Sequence, residues 1–170
     1  AVRINGLDTE WFYDDIKMFS DSGVNRIVVP KAEDPEAIRK LVKTMFNLGY
    51  SMQNTSLWLM LETPTGILNS RYLAEAHPSV DTLLMGTSDL SKNLQVPSDS
   101  NRTGLIHLLS QCVLVARAHK CNIIDGIFPN LENQRAYRAE CSQGRLLGFD
   151  GKTLIHPSQI HYANLIFLKV

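Results

Sequence analysis

Charged residues stand at the ends of short apolar runs along this chain, and their types define the chemistry open to it. Arg3 lies between Val2 and Ile4, Lys31 and Glu33 follow Ile-Val-Val-Pro, and Glu62 closes Leu-Trp-Leu-Met-Leu. Asp89 follows Leu-Leu-Met-Gly-Thr-Ser, Asp125 interrupts Ile-Ile-Asp-Gly, and His156 closes the last run before Pro157. A carboxylate at the mouth of a sheet costs desolvation unless something positive pairs with it. Two carboxylates on neighbouring strand ends repel unless a cation lies between them. Magnesium suits that place, because it commonly takes one or two carboxylates and fills its octahedron with waters and substrate oxygens. Glu62 and Asp89 are the candidate pair, and Arg3 offers a planar fork for an anionic substrate group.

Each of these residues has a plainer reading beside the chemical one. An arginine in a strand can simply pair with a carboxylate at the edge of the core. Glu62 could cap the turn that follows it, and Asp89 could be the N-cap in Ser-Asp-Leu-Ser. Lys31 could attack a carbonyl as a desolvated amine. Glu33, two residues on, favours its ammonium form instead, so both are read as supporting charges. Asp125 before Gly126 is read as a turn or supporting residue, and His156 as a hydrogen-bonded structural histidine. Residues 148–152 read as a structural turn, and Lys92, Arg102 and Lys120 as solvated.

The elements that must position these groups are strand-like runs at Val2–Asn5, Arg26–Lys31, Leu57–Glu62, Asp81–Gly86, Asn122–Phe128 and Lys152–His156. Their nearly continuous apolar interiors suit a parallel sheet buried on both faces. Helix-period segments lie between them. The clearest starts at Asp34 as N-cap with Pro35 behind it, repeats Ile38, Leu41, Val42, Met45 and Phe46 on one face, and stops at Gly49. Thr103–Lys120 and Leu131–Leu147 read the same way, the second stopping at Gly148. Strand and helix alternate throughout, which gives an α/β fold. In such folds ligands bind at the C-terminal strand ends, where the charged residues sit. Strand starts recur at about 30 residues, the period of a (β/α)₈ barrel. An open doubly wound sheet fits the same spacing, although no GxGxxG follows the first strand.

Composition closes off several classes. The chain has 170 residues, 44% hydrophobic and 20% charged, with 17 basic against 17 acidic side chains. That balance is unlike a disordered chain, and it offers no electrostatic footprint for nucleic acid or an anionic membrane. No apolar run approaches the roughly 18 residues needed to span a bilayer, and no basic-then-apolar leader is legible at the start. Cys112, Cys121 and Cys141 are widely spaced and read as reduced thiols of a cytoplasmic protein. The expectation is one globular domain over residues 1–170.

The motifs, taken in order, then carry a resemblance. They are Val-Arg-Ile-Asn (2–5), Val-Pro-Lys-Ala-Glu (29–33), Leu-Glu-Thr-Pro-Thr-Gly (61–66), Gly-Thr-Ser-Asp-Leu (86–90), Ile-Asp-Gly-Ile-Phe (124–128) and Gly-Phe-Asp-Gly-Lys-Thr-Leu-Ile-His-Pro-Ser-Gln-Ile (148–160). The chain resembles the citrate lyase beta-chain family of the HpcH/HpaI aldolase superfamily, which includes malyl-CoA and citramalyl-CoA lyases. The resemblance implies a TIM-type (β/α) barrel of which six of eight units are legible. The first two units, with an acidic Asp-Leu-Glu-Asp stretch, and a C-terminal extension have no counterpart in this sequence.

It further implies Mg²⁺ on Glu62 and Asp89, and Arg3 on the carboxylate of an oxo acid. The backbone N–H groups of Gly86, Thr87 and Ser88 would cradle the same ligand. The implied reaction is magnesium-dependent carbon–carbon cleavage of a malyl-, citramalyl- or citryl-type thioester into an oxo acid and an acyl-CoA, by a retro-Claisen route. The thioester would be carried on CoA or an acyl carrier protein, and the assembly would be a homotrimer or hexamer. Lys31 and Asp125 are the candidates for the proton donor. The alternatives are a CoA-independent oxo-acid aldolase and a non-catalytic, truncated binding subunit.

Overall fold

Strand order separates the two architectures that spacing left level. The computed structural model describes residues 1–20, 22–97, 99 and 101–168. Its elements are β1 (Val2–Arg3), α1 (Phe12–Ser20), β2 (Arg26–Val29), α2 (Pro35–Asn47), β3 (Ser56–Leu61), α3 (Pro64–Leu68), α4 (Ser70–Ala74), β4 (Val80–Met85), α5 (Thr87–Asn93), α6 (Ile106–Ala118), β5 (Asn122–Asp125), α7 (Gln134–Leu147), β6 (Gly151–Lys152) and α8 (Ile160–Phe167). Every ladder is parallel, and the strands lie side by side in chain order from β1 to β6. A doubly wound sheet reverses its order at a switch point. This sheet does not, and it forms a singly wound half-barrel.

The strands are shorter than the apolar runs suggested. β2 stops at Val29, because Pro30 has no N–H to donate and Lys31 takes a left-handed backbone with φ 46°. β5 ends at Asp125, not at Phe128, and β6 is only Gly151–Lys152; the rest of the expected run is irregular, and His156 at its end caps a 3-10 turn at Pro157–Gln159. The start of α6 at Ile106, not Thr103, has a local cause. The Asp99 carboxylate accepts the N–H groups of Asn101 (2.7 Å) and Thr103 (2.9 Å), and Arg102 is left-handed at φ 54°, so this turn cannot join the helix. The α2 cap signals hold, with Asp34 accepting the Glu36 N–H at 2.9 Å and Gly49 following the helix at φ 90°. Ile38, Leu41, Val42 and Met45 are buried, but Phe46 is exposed.

Alternation sorts β3 into two faces. Leu57, Leu59 and Leu61 are fully buried beneath the helices, whereas Ser56, Trp58 and Met60 are half-buried on the other side. Burial on both faces was the expectation for this sheet; it holds on the helix side and, on the inner face, for Val28 and Leu84 but not for Trp58 and Met60. The inner face lines an open hollow of about 580 Å³ with Arg3, Val28, Trp58, Met60, Leu84 and Ile124. Right-handed crossovers place the connecting helices on the same side of a singly wound sheet, and the hollow on the other face is closed at one edge by Ala163, Asn164 and Phe167 of α8.

Candidate metal and substrate site

Glu62 is the first residue beyond β3, and the chain around it leaves its carboxylate free of a capping role. Thr63 caps α3 instead, its Oγ1 accepting the Gly66 N–H at 3.1 Å. Glu62 is only 6% exposed, and its Oε1 accepts the Lys31 N–H at 2.7 Å. Holding Lys31 left-handed costs roughly 1–2 kcal/mol for a residue with a Cβ. Its surroundings fix it there. The Ala32 N–H donates to the Met60 carbonyl at 3.1 Å, and Asn69 Nδ2 donates to the Glu33 carbonyl at 2.8 Å. A Cβ on Gly66 would lie 2.5 Å from the Ala32 carbonyl oxygen, so α3 packs directly on this loop.

Asp89 reaches Glu62 from the next unit. The Gly86 N–H donates to the Leu61 carbonyl at 2.9 Å, and Gly86 then caps α5, which carries Asp89 in its first turn. Asp89 is therefore not the N-cap. Burial pushes the Glu62 carboxyl above its ordinary range; the Lys31 N–H and, more weakly, the Lys31 charge oppose this, and the nearby Asp89 carboxylate adds to it. Two neighbouring carboxyl groups, one of them buried and destabilised as an anion by the other's charge, make an arrangement that a divalent cation relieves. Magnesium needs no third protein ligand, and among the described residues no group of three His, Cys, Asp or Glu side chains converges. The donor set therefore fits a magnesium ion better than a closed Cys/His zinc centre. Lys92 Nζ contacts Asp89 Oδ1 at 3.1 Å, but both groups are half or more exposed, so the pair contributes little.

Thr87 and Ser88 open α5, and no side chain caps their N–H groups. Thr87 is buried against the end of β5, where a Cβ on Gly126 would meet its Oγ1 at 2.1 Å. Lys31 is exposed, and no ion pair joins it to Glu33 among the described residues. Arg3 sits elsewhere. It pairs in register with Val28, which faces Trp58 on β3. Glu62 lies four residues past Trp58, about 13 Å along the strand direction. Arg3 faces the hollow, whose lining includes neither Glu62 nor Asp89. The structure thus joins Glu62, Asp89 and the Lys31 amide at the rim and places Arg3, itself exposed, on the lining of the hollow.

Asp125 belongs to a different assembly. Its neighbour Ile124 lines the hollow, so alternation turns Asp125 toward the helices, where it is fully buried. Arg102 Nη1 donates to both its oxygens at 2.7 and 2.9 Å, and Lys152 Nζ donates to Oδ2 at 3.2 Å. Lys152 also donates to Glu140 at 2.6 Å, and Arg102 Nε donates to Gln143 at 2.8 Å. Two cations balance two carboxylates in a neutral latch between sheet and helices. This corrects two expectations: Arg102 is not solvated, being 8% exposed, and Asp125 is not placed to deliver a proton at the rim. Lys92 and Lys120 are exposed as expected. His156 is hydrogen-bonded, its Nδ1 accepting the Ser158 N–H at 3.2 Å to cap the 3-10 turn, and His77 does the same for Ser79 at 3.1 Å.

Comparison with known proteins follows the same lines. The family model described as HpcH/HpaI aldolase/citrate lyase matches residues 1–157. A (3S)-malyl-CoA thioesterase of Cereibacter sphaeroides is 41% identical over 169 residues, covering 98% of this chain and 55% of that protein. A citrate lyase subunit beta of Leuconostoc mesenteroides subsp. cremoris is 27% identical over 171 residues, covering 98% and 57%. The chain spans just over half the length of these curated relatives. The citrate lyase beta subunit of M. tuberculosis, solved with oxaloacetate and magnesium, shares the fold with a TM-score of 0.82 at 22% identity, over 99% of this chain and 72% of that one. Among the described residues, no helix is long and apolar enough to cross a membrane.

Proposed function

Because the chain belongs to the HpcH/HpaI aldolase/citrate lyase family, we propose that it carries the magnesium-binding rim of an enzyme acting on malyl-type CoA thioesters. The observation that carries this reading is the buried Glu62 carboxylate at the end of β3 with the charge of Asp89, from the first turn of α5, beside it. Bound there, magnesium supplies Lewis-acid polarisation of substrate oxygens. Glu62 and Asp89 hold the ion, and the Lys31 N–H fixes Glu62. Arg3 offers its guanidinium to an anionic group of the substrate from the inner face, and the N–H groups at Gly86, Thr87 and Ser88 face the substrate oxygens at the rim. The half-barrel of residues 1–170 is the larger part of a TIM-type barrel that two further β/α units complete, in a homo-oligomer.

Thioester hydrolysis is the first reading, supported by the 41% likeness to a malyl-CoA thioesterase. Water adds to the thioester carbonyl, the carbon–sulfur bond breaks, and free CoA and the hydroxy acid leave. Carbon–carbon cleavage to an oxo acid and an acyl-CoA is the second, supported by the likeness to citrate lyase beta subunits. It requires one further group, a proton donor for the enolate carbon, and Asp125 is turned away from the rim. Malyl-CoA with magnesium separates the two. Free thiol with malate is the expected result, and acetyl-CoA with glyoxylate assigns the lyase. Glu62→Gln and Asp89→Asn abolish either. Magnesium-dependent oxo-acid binding without turnover marks a binding subunit, and cleavage of CoA-free hydroxy acids marks an aldolase.

A further inference from the structure

We infer that residue 31 serves the rim through its main chain: the left-handed Lys31 amide fixes Oε1 of Glu62 and leaves Oε2 for the shared divalent cation. The inference rests on reading Glu62 and Asp89 as a cation-binding pair. Lys31 is one of four non-glycine residues with positive φ among the described residues, and in that conformation its N–H donates to Glu62 Oε1 at 2.7 Å. Glu62 Oε2 lies on the other side, 3.0 Å from where a Cβ of Gly86 would stand, beside the start of the helix bearing Asp89. One oxygen is thereby tied to the β2 loop, and the other is turned to the β4 rim.

The loop cannot relax without losing this bond. Ala32 is held by its N–H on the Met60 carbonyl and by Gly66 packed on its own carbonyl. With that side anchored, returning φ of Lys31 to the usual range swings the 30–31 peptide, and its N–H, away from Glu62. Pro30 offers no substitute donor. The Lys31 side chain is exposed and makes no ion pair among the described residues. Its charge acts on Glu62 only as the smallest of the influences on that carboxyl, whereas the Lys31 backbone N–H is the largest opposing burial. A fixed carboxylate keeps its second oxygen on the cation without spending affinity on ordering, which is the role a supporting hydrogen bond plays at metal sites.

The test is Mn²⁺ titration of the full chain followed by electron paramagnetic resonance, with circular dichroism as the check on folding. The parent chain is expected to bind Mn²⁺. Replacing Lys31 by its α-hydroxy acid analogue turns the amide into an ester and deletes only the N–H. Affinity should fall by roughly tenfold or more, as for a hydrogen bond to a charged group. Lys31→Val, which resists positive φ, should show a similar loss, and Lys31→Gly should restore binding although the ammonium is gone. An ester chain that binds as tightly as the parent overturns the inference, and so does a Lys31→Gly chain as weak as Lys31→Val. Failure of the parent chain to bind Mn²⁺ overturns the carboxylate-pair reading itself and is seen before any variant is made.

Discussion

A Cβ on Gly86 would lie 2.3 Å from the Cβ of Glu62, so the end of β4 and the carboxylate at the end of β3 share one space. Gly86→Ala must displace Glu62, because the nearest atoms belong to its backbone and Cβ as well as to its flexible tip. The expected outcome is loss of divalent-cation affinity with a stability cost of about 1–3 kcal/mol, as for other overpacked sites. Mn²⁺ titration beside urea unfolding measures both. Unchanged cation binding would show that the close approach does not serve the site.

Glu62 predicts an unusual pH dependence for the metal-free chain. Its carboxyl is raised above its ordinary value of 4.5, chiefly by burial. Between that value and the higher folded one, the native state binds more protons than the unfolded state. Its stabilising contribution is therefore complete below the ordinary value and is lost as pH rises through the folded one. Urea unfolding in the presence of a chelator should show stability falling over that window, and Glu62→Gln should flatten the fall. Divalent cations compete with the same proton, so cation affinity should rise with pH over the same range.

The latch around Asp125 gives a stability prediction independent of catalysis. Lys152→Met or Arg102→Met leaves a fully buried carboxylate without one of its two cations. Breaking a buried pair from one side costs about 3–5 kcal/mol. Thermal melts should fall accordingly, and the double change of Lys152→Met with Asp125→Asn should recover part of the loss.

The α2 cap is a smaller test of the same kind. Asp34→Ala removes the acceptor for the Glu36 N–H, and about 1 kcal/mol of stability should go with it. A denaturant midpoint that does not move would mean that water caps the helix equally well.

Local signals were legible and long-range ones were not. Asp34-Pro35 at the start of α2 and Gly49 and Gly148 beyond helix ends can be read because the groups they satisfy lie within a few residues. Glu62 could be singled out because it ends an apolar run. Spacing could not decide how the strands wind, since both architectures use the same unit length, and the family resemblance supplied what spacing lacked. Arg102 was misread as solvated because its partner Asp125 is 23 residues away and only the fold brings them together. The left-handed turn at Lys31 left no mark in the sequence, where glycine would have announced it. Arg3 was placed on the right strand, yet its offset from Glu62 follows from register, which a single strand does not encode.

The hollow on the inner face has a practical corollary. Of the two tryptophans, Trp11 is 58% exposed in the solvent, whereas Trp58 lines the hollow with its indole N–H on Ser56 Oγ at 2.9 Å. The molecule thus carries its own optical gauge. Whatever seats against that surface strips water from one indole and not from the other, and the emission colour records the event without any added dye.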